Sequence, residues 1–483
     1  MTLGSRVSRL YLFALAALLT LAAPFFAPGG GYGHITGFKA ALYVLLTAVF
    51  LGLSLFDPPR EGGLHRSPER WLALGYLFFC LLSAVCSPWR RTAFLGGSRS
   101  EGFLHLALYV LSFLLLSARG FSRRGLLRFF AAAVTAQDLL CLAQLGGFNP
   151  LGLYPEGLGW ADAGLRYPGA YLGTPGNAGQ TGAVLAAASA LLLLTMLEEG
   201  GRSFLFLPTA ALNACLLSRM DVTGPILALT AVLFLALIPF GGTLGGLCRW
   251  GCLTALTLAL LLGRVMGEIP ALILTVLSGL CFLAEKRLPG DKDTRVASRC
   301  LLGVLCAAGL AAVCGYRGWY APLRDAAALL RGEVREEMGS GRIYIWRQVL
   351  RALPERFWLG SGPDTLGLRG LTPYTFYDPA LGRSVTLGID AAHCETLHTL
   401  VCCGPGAALC HLGLILCAFR GFFRRGGAAR VCAGGALCYG IQSFFGISMC
   451  SSAPVFWVLL ALSVNRAFDP TEGGEDPESV QQR

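Results

Sequence analysis

A histidine set among carboxylates, Asp390-Ala391-Ala392-His393-Cys394-Glu395, has the side chains needed to accept or orient the proton of a hydroxyl near neutral pH. Fixed positive charge recurs beside small residues elsewhere in the chain. Arg166 precedes Tyr-Pro-Gly-Ala-Tyr-Leu-Gly-Thr-Pro-Gly-Asn177, Ser218-Arg219 is followed by Asp221 and Thr223, and Arg342 follows Gly339-Ser340-Gly341. A guanidinium forks onto phosphate or carboxylate, and a helix capped by Asn177 would present its positive end to an anion. Asp364 closes the turn Gly360-Ser361-Gly362-Pro363, and Trp346 lies in the amphipathic run RIYIWRQVLRAL. Each has a plainer structural reading. Arg219 would anchor a helix end against Asp221, residues 166–177 would be a capped turn, the glycine clusters would start a helix and make a turn, and His393 would be a satisfied structural donor.

The elements that must hold these residues are hydrophobic. Of the 483 residues 54% are apolar and 14% charged, with mean hydropathy +0.60, and apolar runs long enough to cross a bilayer recur throughout. Fourteen spans are expected, at 10–28, 39–56, 71–87, 103–118, 126–143, 177–196, 203–217, 222–240, 250–265, 268–284, 299–315, 395–418, 430–447 and 452–466. The fold class is therefore all-α and polytopic. Residues 1–315 and 395–466 form the bundle, 316–394 a large loop, and 467–483 a polar, acidic, disordered tail. The first span is read as an uncleaved helix rather than a signal peptide.

With both termini in the cytoplasm, Arg60, Arg66, Arg70, Arg119, Arg123, Arg124, Lys286, Arg287, Arg424 and Arg425 all lie inside, which satisfies the positive-inside rule. The two long interruptions, 144–176 and 316–394, then face outward. The net charge of +11 follows from this topology, and no compact basic domain exists to hold nucleic acid. The 18 cysteines fall mostly within apolar runs and have neither a disulfide framework nor a zinc spacing.

Loop 316–394 carries ten arginines, no lysine and eight acidic residues. A charged helix is expected over 322–338. A second, amphipathic one follows, with Trp346, Val349, Leu350 and Leu353 on one face, lying on the membrane surface or packing on the bundle.

In this order, LGGSRSEG before a helix, RYPGAYLGTPGN (166–177), Ser218-Arg219 at a helix end, GSGRIYIW (339–346), WLGSGPDTLG (358–367) and DAAHCETLHTLVCCGPGAAL (390–409) resemble the O-antigen ligase and polymerase family of membrane glycosyltransferases. The resemblance runs over nearly the whole chain. It departs at Gly176, where the family usually has asparagine, and at Cys394, where it has His-Asn. It implies a GT-C-like fold that takes a glycan from a polyprenyl-diphosphate carrier to a glycan, lipid or protein acceptor at the outer face of the cytoplasmic membrane, among membrane lipids and with no cofactor or metal. His393, Arg219 and Arg342 would be catalytic. Arg166, Asn177, Ser218, Trp346, Asp364, Asp390 and Glu395 would bind or position substrate. Ligase and polymerase stay open, and a transporter or lipid-linked glycan flippase is the alternative from another class.

Overall fold

The computed structural model of the chain describes residues 3–22, 31–57, 67–121, 125–154, 171–220, 222–378, 383–465 and 468. Helix occupies each of the fourteen stretches expected to span. Ten of these helices are both long and apolar enough to cross a membrane. They are α1 (Leu3–Thr20), α2 (Gly31–Ser54), α3 (Pro68–Val85), α6 (Leu126–Leu145), α7 (Ala178–Glu199), α9 (Thr223–Phe240), α10 (Leu244–Met266), α11 (Glu268–Arg287), α12 (Arg295–Gly315) and α15 (Glu395–Arg424).

The remaining four are shorter: α5 (Phe103–Ala118), α8 (Leu207–Leu217, extended backward by a 3-10 turn, Gly201–Phe206), α16 (Gly427–Ser443) and α17 (Ala453–Ser463). Eleven residues of α17 rise about 16 Å, half of a hydrocarbon core of roughly 30 Å. Of the fourteen expected spans, ten are matched by helices of membrane-crossing length and apolarity among the described residues. The apolar runs are long enough in sequence, but Gly446 and the serines at 448, 451 and 452 take the chain out of helix between α16 and α17.

At the centre stands α7, buried along its whole length and rich in alanine. Small residues let α16 lie against it: a methyl group added at Gly434 would overlap Leu194 and Phe422. By contrast, α11 and α12 bury almost nothing, and their leucines and isoleucines face outward. One end of the bundle is tied by ion pairs, Arg425 to Glu69 at 2.6 Å and Arg430 to Glu198 at 3.0 Å. The other end gathers the segments 86–102, 171–177, 218–220, 316–378, 383–394 and 444–452.

The large loop corrects two expectations. It is not wholly helical: β1 (Tyr374–Asp378) and β2 (Arg383–Leu387) pair antiparallel with Tyr374 opposite Leu387, as aromatic and β-branched residues favour. The charged helix, α13 (Ala321–Leu330), stops well short of Met338, because Gly332 (φ +83°) turns the chain and Gly339, Ser340 and Gly341 are all left-handed. α14 (Arg342–Ala352) forms where expected, but buries Ile345, Val349 and Ala352, leaving Leu350 exposed.

Candidate functional site

The floor of the site is a break in α15. Gly404 is non-helical (φ 80°, ψ 173°) and Pro405 has no N–H to donate, so helical bonding fails at this point. The freed carbonyl of Cys402 accepts from Ser83 Oγ and from the Gly362 amide, both at 2.8 Å. Residues 358–362 enter the gap backbone against backbone. A Cβ at Gly360 would fall inside the Cys402 peptide, and one at Gly404 inside the Trp358 carbonyl. Cys402 and Cys403 are both buried beside this junction, as packing residues.

On this floor Asp364, itself left-handed (φ +54°), accepts through Oδ2 from the amides of Gly97 (2.6 Å) and Glu101 (3.2 Å). That grip fixes the turn between α4 (Arg90–Leu95) and α5 and aims Arg99 across the site, where its Nη2 pairs with Asp390 Oδ1 at 2.5 Å. Asp390 also accepts from Ser98 Oγ at 3.3 Å. Three residues on is His393 (φ +50°), whose segment is anchored by Trp346 Nε1 donating to the Ala392 carbonyl at 2.8 Å. Arg342 donates to the Gly339 carbonyl (2.6 Å) and, across the bundle, to that of Phe445 (3.1 Å).

The electrostatics follow from this placement. Burial, then the positive charges of Arg342 and Arg99, push the His393 imidazole down to about 4 against an opposing pull from Asp390, so it is neutral at neutral pH. Burial pushes the Glu101 carboxyl up to about 8, partly offset by hydrogen bonds from Tyr109 (2.7 Å) and Ser448 (2.9 Å), so it is protonated there. Burial also raises the Asp364 carboxyl, and the amides it accepts from oppose the rise. Arg99, Glu101, Asp364, Glu395, His398 and His411 line a small cavity of about 50 Å³. The Nε atoms of Arg99 and Arg342 and Nδ1 of His398 are buried with no hydrogen-bond partner among the described residues.

Several expected residues meet here and others do not. His393, Arg342, Trp346, Asp364 and Asp390 share the cluster. Asn177 caps α7 from Gly179 (2.9 Å) and Gln180 (3.3 Å), and Gln180 reaches the Ile447 carbonyl at 2.8 Å. Glu395 faces inward to Tyr439 (3.1 Å) and His411 (3.8 Å) and makes no ion pair with arginine. Arg219 is exposed at the end of α8 and, among the described residues, Ser218 bonds only its own helix, to the Cys215 carbonyl, so neither joins the described hydrogen-bonded cluster. Arg166 and Asp221 lie outside the described residues. Missed in sequence were Arg99, Glu101 and loop 444–452, although Arg99 and Glu101 sit within LGGSRSEG. The polar Gly446-Ile-Ser448 stretch between two apolar runs was the available signal for the loop.

Backbone strain marks the same place. Among the described residues the non-glycine residues with positive φ are Ser100, Ser340, Asp364 and His393, and all four belong to segments that converge here. Left-handed conformations are costly for side-chain-bearing residues and collect at binding sites. The sequence matches no family model and no curated protein. The site's chemistry therefore has to be read from its own groups. Guanidinium groups can hold an anion, and a neutral imidazole that feels both of them can take a proton.

Proposed function

We propose that this chain is a membrane glycosyltransferase of the O-antigen ligase and polymerase type, with a GT-C-like fold, both termini cytoplasmic, and the Arg99–Arg342–His393 end at the outer face of the cytoplasmic membrane. The observation that supports the reading is the convergence of two arginines, each with a buried Nε that has no hydrogen-bond partner among the described residues, on a histidine kept neutral by burial and then by those two cations. A polyprenyl-diphosphate donor would leave its tail in lipid and set its diphosphate between Arg99 and Arg342. The acceptor hydroxyl attacks the anomeric carbon, the bond from that carbon to the diphosphate oxygen breaks, and the hydroxyl proton passes to His393. The arginines stabilise the charge that develops on the departing diphosphate. The bound anion also offsets the cations that depress His393, which strengthens the base only when donor is present.

The test is release of polyprenyl diphosphate by the protein in nanodiscs, given a polyprenyl-diphosphate oligosaccharide and a panel of glycan, lipid and protein acceptors. Release that depends on Arg342 and on one acceptor supports the reading, and that acceptor separates ligase from polymerase. Movement of intact donor across the bilayer without release would replace it with a flippase.

A further inference from the structure

At the end of the bundle opposite His393 a second, larger cavity opens. It measures about 360 Å³, within the roughly 300–1,000 Å³ typical of ligand sites. It exists because two helix groups fail to close on each other. α1 packs chiefly on α2 and α6, whereas α17 packs on α5 and α16. Between them lies a cleft walled by Leu12 and Leu15 of α1, Leu191 of α7 and Val455, Val458 and Leu462 of α17. The wall is mostly apolar, with Thr195 among its few polar residues, and in a bilayer a gap of this kind fills with hydrocarbon.

The rim is of a different character. Arg128, in the first turn of α6, and Arg202, just past α7, both line the mouth, and neither hydrogen-bonds or ion-pairs with any described residue. Gly125, also on the rim, takes a left-handed conformation ahead of α6 and supplies no side-chain cap, so the first amides of that helix are free to meet an anion. Glu199 on the same rim leaves these three side chains with one net positive charge, and Arg123 and Arg124 stand immediately before Gly125 in the sequence.

We infer that this cleft is a binding site for an anionic phospholipid, one acyl chain lying along α1, α7 and α17 and the phosphate held by Arg128, Arg202 and the start of α6. The pairing of a basic mouth with a hydrocarbon slot between membrane helices is what such a headgroup requires. At the other end Gln180, in the first turn of α7, hydrogen-bonds with Ser452, the residue just before α17.

The experiment uses the full chain, purified in mild detergent, stripped of lipid, then offered phosphatidylglycerol or phosphatidylcholine and read by native mass spectrometry. One retained phosphatidylglycerol and no phosphatidylcholine is expected. Arg128→Gln with Arg202→Gln weakens retention about thirty-fold (about 2 kcal/mol). Val458→Trp, which fills the slot and leaves the rim intact, removes the lipid as well, and size-exclusion profiles identical to wild type certify both variants. Equal retention of the two lipids, retention unchanged in Val458→Trp, or preference for polyprenyl phosphate would overturn the assignment. So would binding that emerges only after residues 469–483 are removed, since the acidic tail would then be the occupant.

Discussion

The protonation of His393 gives the sharpest handle on the site. Its imidazole stands at about 4, held down first by burial and then by Arg342 and Arg99, with Asp390 pulling the other way. Arg99→Gln deletes one cation and raises the imidazole by about one unit, from near 4 to near 5, since a single close charge shifts a partner by roughly 1–3 units and burial remains. Asp390→Asn deletes the opposing anion and moves it down. Both substitutions break the same 2.5 Å pair, so mere disruption of the loop would move both variants in one direction, whereas electrostatics moves them in opposite directions. The base must be neutral to accept a proton, so activity falls on the acid side of its pKa. At pH 4 the neutral fraction in Arg99→Gln drops from about one half to about one tenth. The assay is kcat/KM for donor turnover between pH 3.5 and 8 in nanodiscs, because that ratio reports the free enzyme. Acid limbs that coincide in the three proteins, or that shift the same way in both variants, would refute the assignment of His393 as the base.

Three further outcomes follow from the geometry. His393→Ala should lower single-turnover release at least a hundredfold, in line with the loss of a general base, while donor binding measured by quenching stays near wild type; a pure binding defect would make it a positioning residue. Glu101, at about 8 when folded and near 4.5 when unfolded, is deprotonated first in the unfolded chain, so its burial contributes a loss of stability as pH rises from 4.5 to 8; Glu101→Gln should abolish that slope and melt higher than wild type at pH 8, and an unchanged thermal profile would contradict it. Gly360→Ala places a Cβ in the Cys402 peptide and a side chain at φ +67°, a penalty above the roughly 1–2 kcal/mol of left-handed strain alone, and should leave little monodisperse protein, whereas Gly279→Ala, with open space around it, should express normally.

The helical bundle was legible because membrane crossing demands long apolar runs, and helix forms wherever the sequence supplies one. What hydropathy could not show was where a run stops being helix. The stretch 430–447 with 452–466 reads as two full crossings, yet Gly446 and the nearby serines leave α17 eleven residues long. The pairing of β1 with β2 lies inside an arginine-rich loop where a few alternating aromatic and β-branched residues are too short a run to stand out. For the site, glycine clusters point to Arg342 and Asp364 because glycine marks where backbone must approach closely, and the neighbouring carboxylates point to His393. Arg219 was given equal standing because an arginine at a helix end looks alike from sequence whether it faces a cavity or solvent. Arg99 was passed over because its importance comes from Asp390, nearly three hundred residues away, and no local spacing encodes that partnership.

The insertion of residues 358–362 into the break of α15 also constrains how the molecule is made. The turn carrying Arg99 is synthesised early, yet its partners Asp364 and Asp390 arrive far later, and Phe445 and Ser448, which hold Arg342 and Glu101, later still. Early helices can enter the bilayer one after another, but the reactive end stays open until α15 has crossed and the α16–α17 connection has emerged. A chain released before that point would have its early helices formed but the Arg99–Asp390 and Arg342–Phe445 contacts unmade, so the proposed site takes shape only after the α16–α17 connection has emerged.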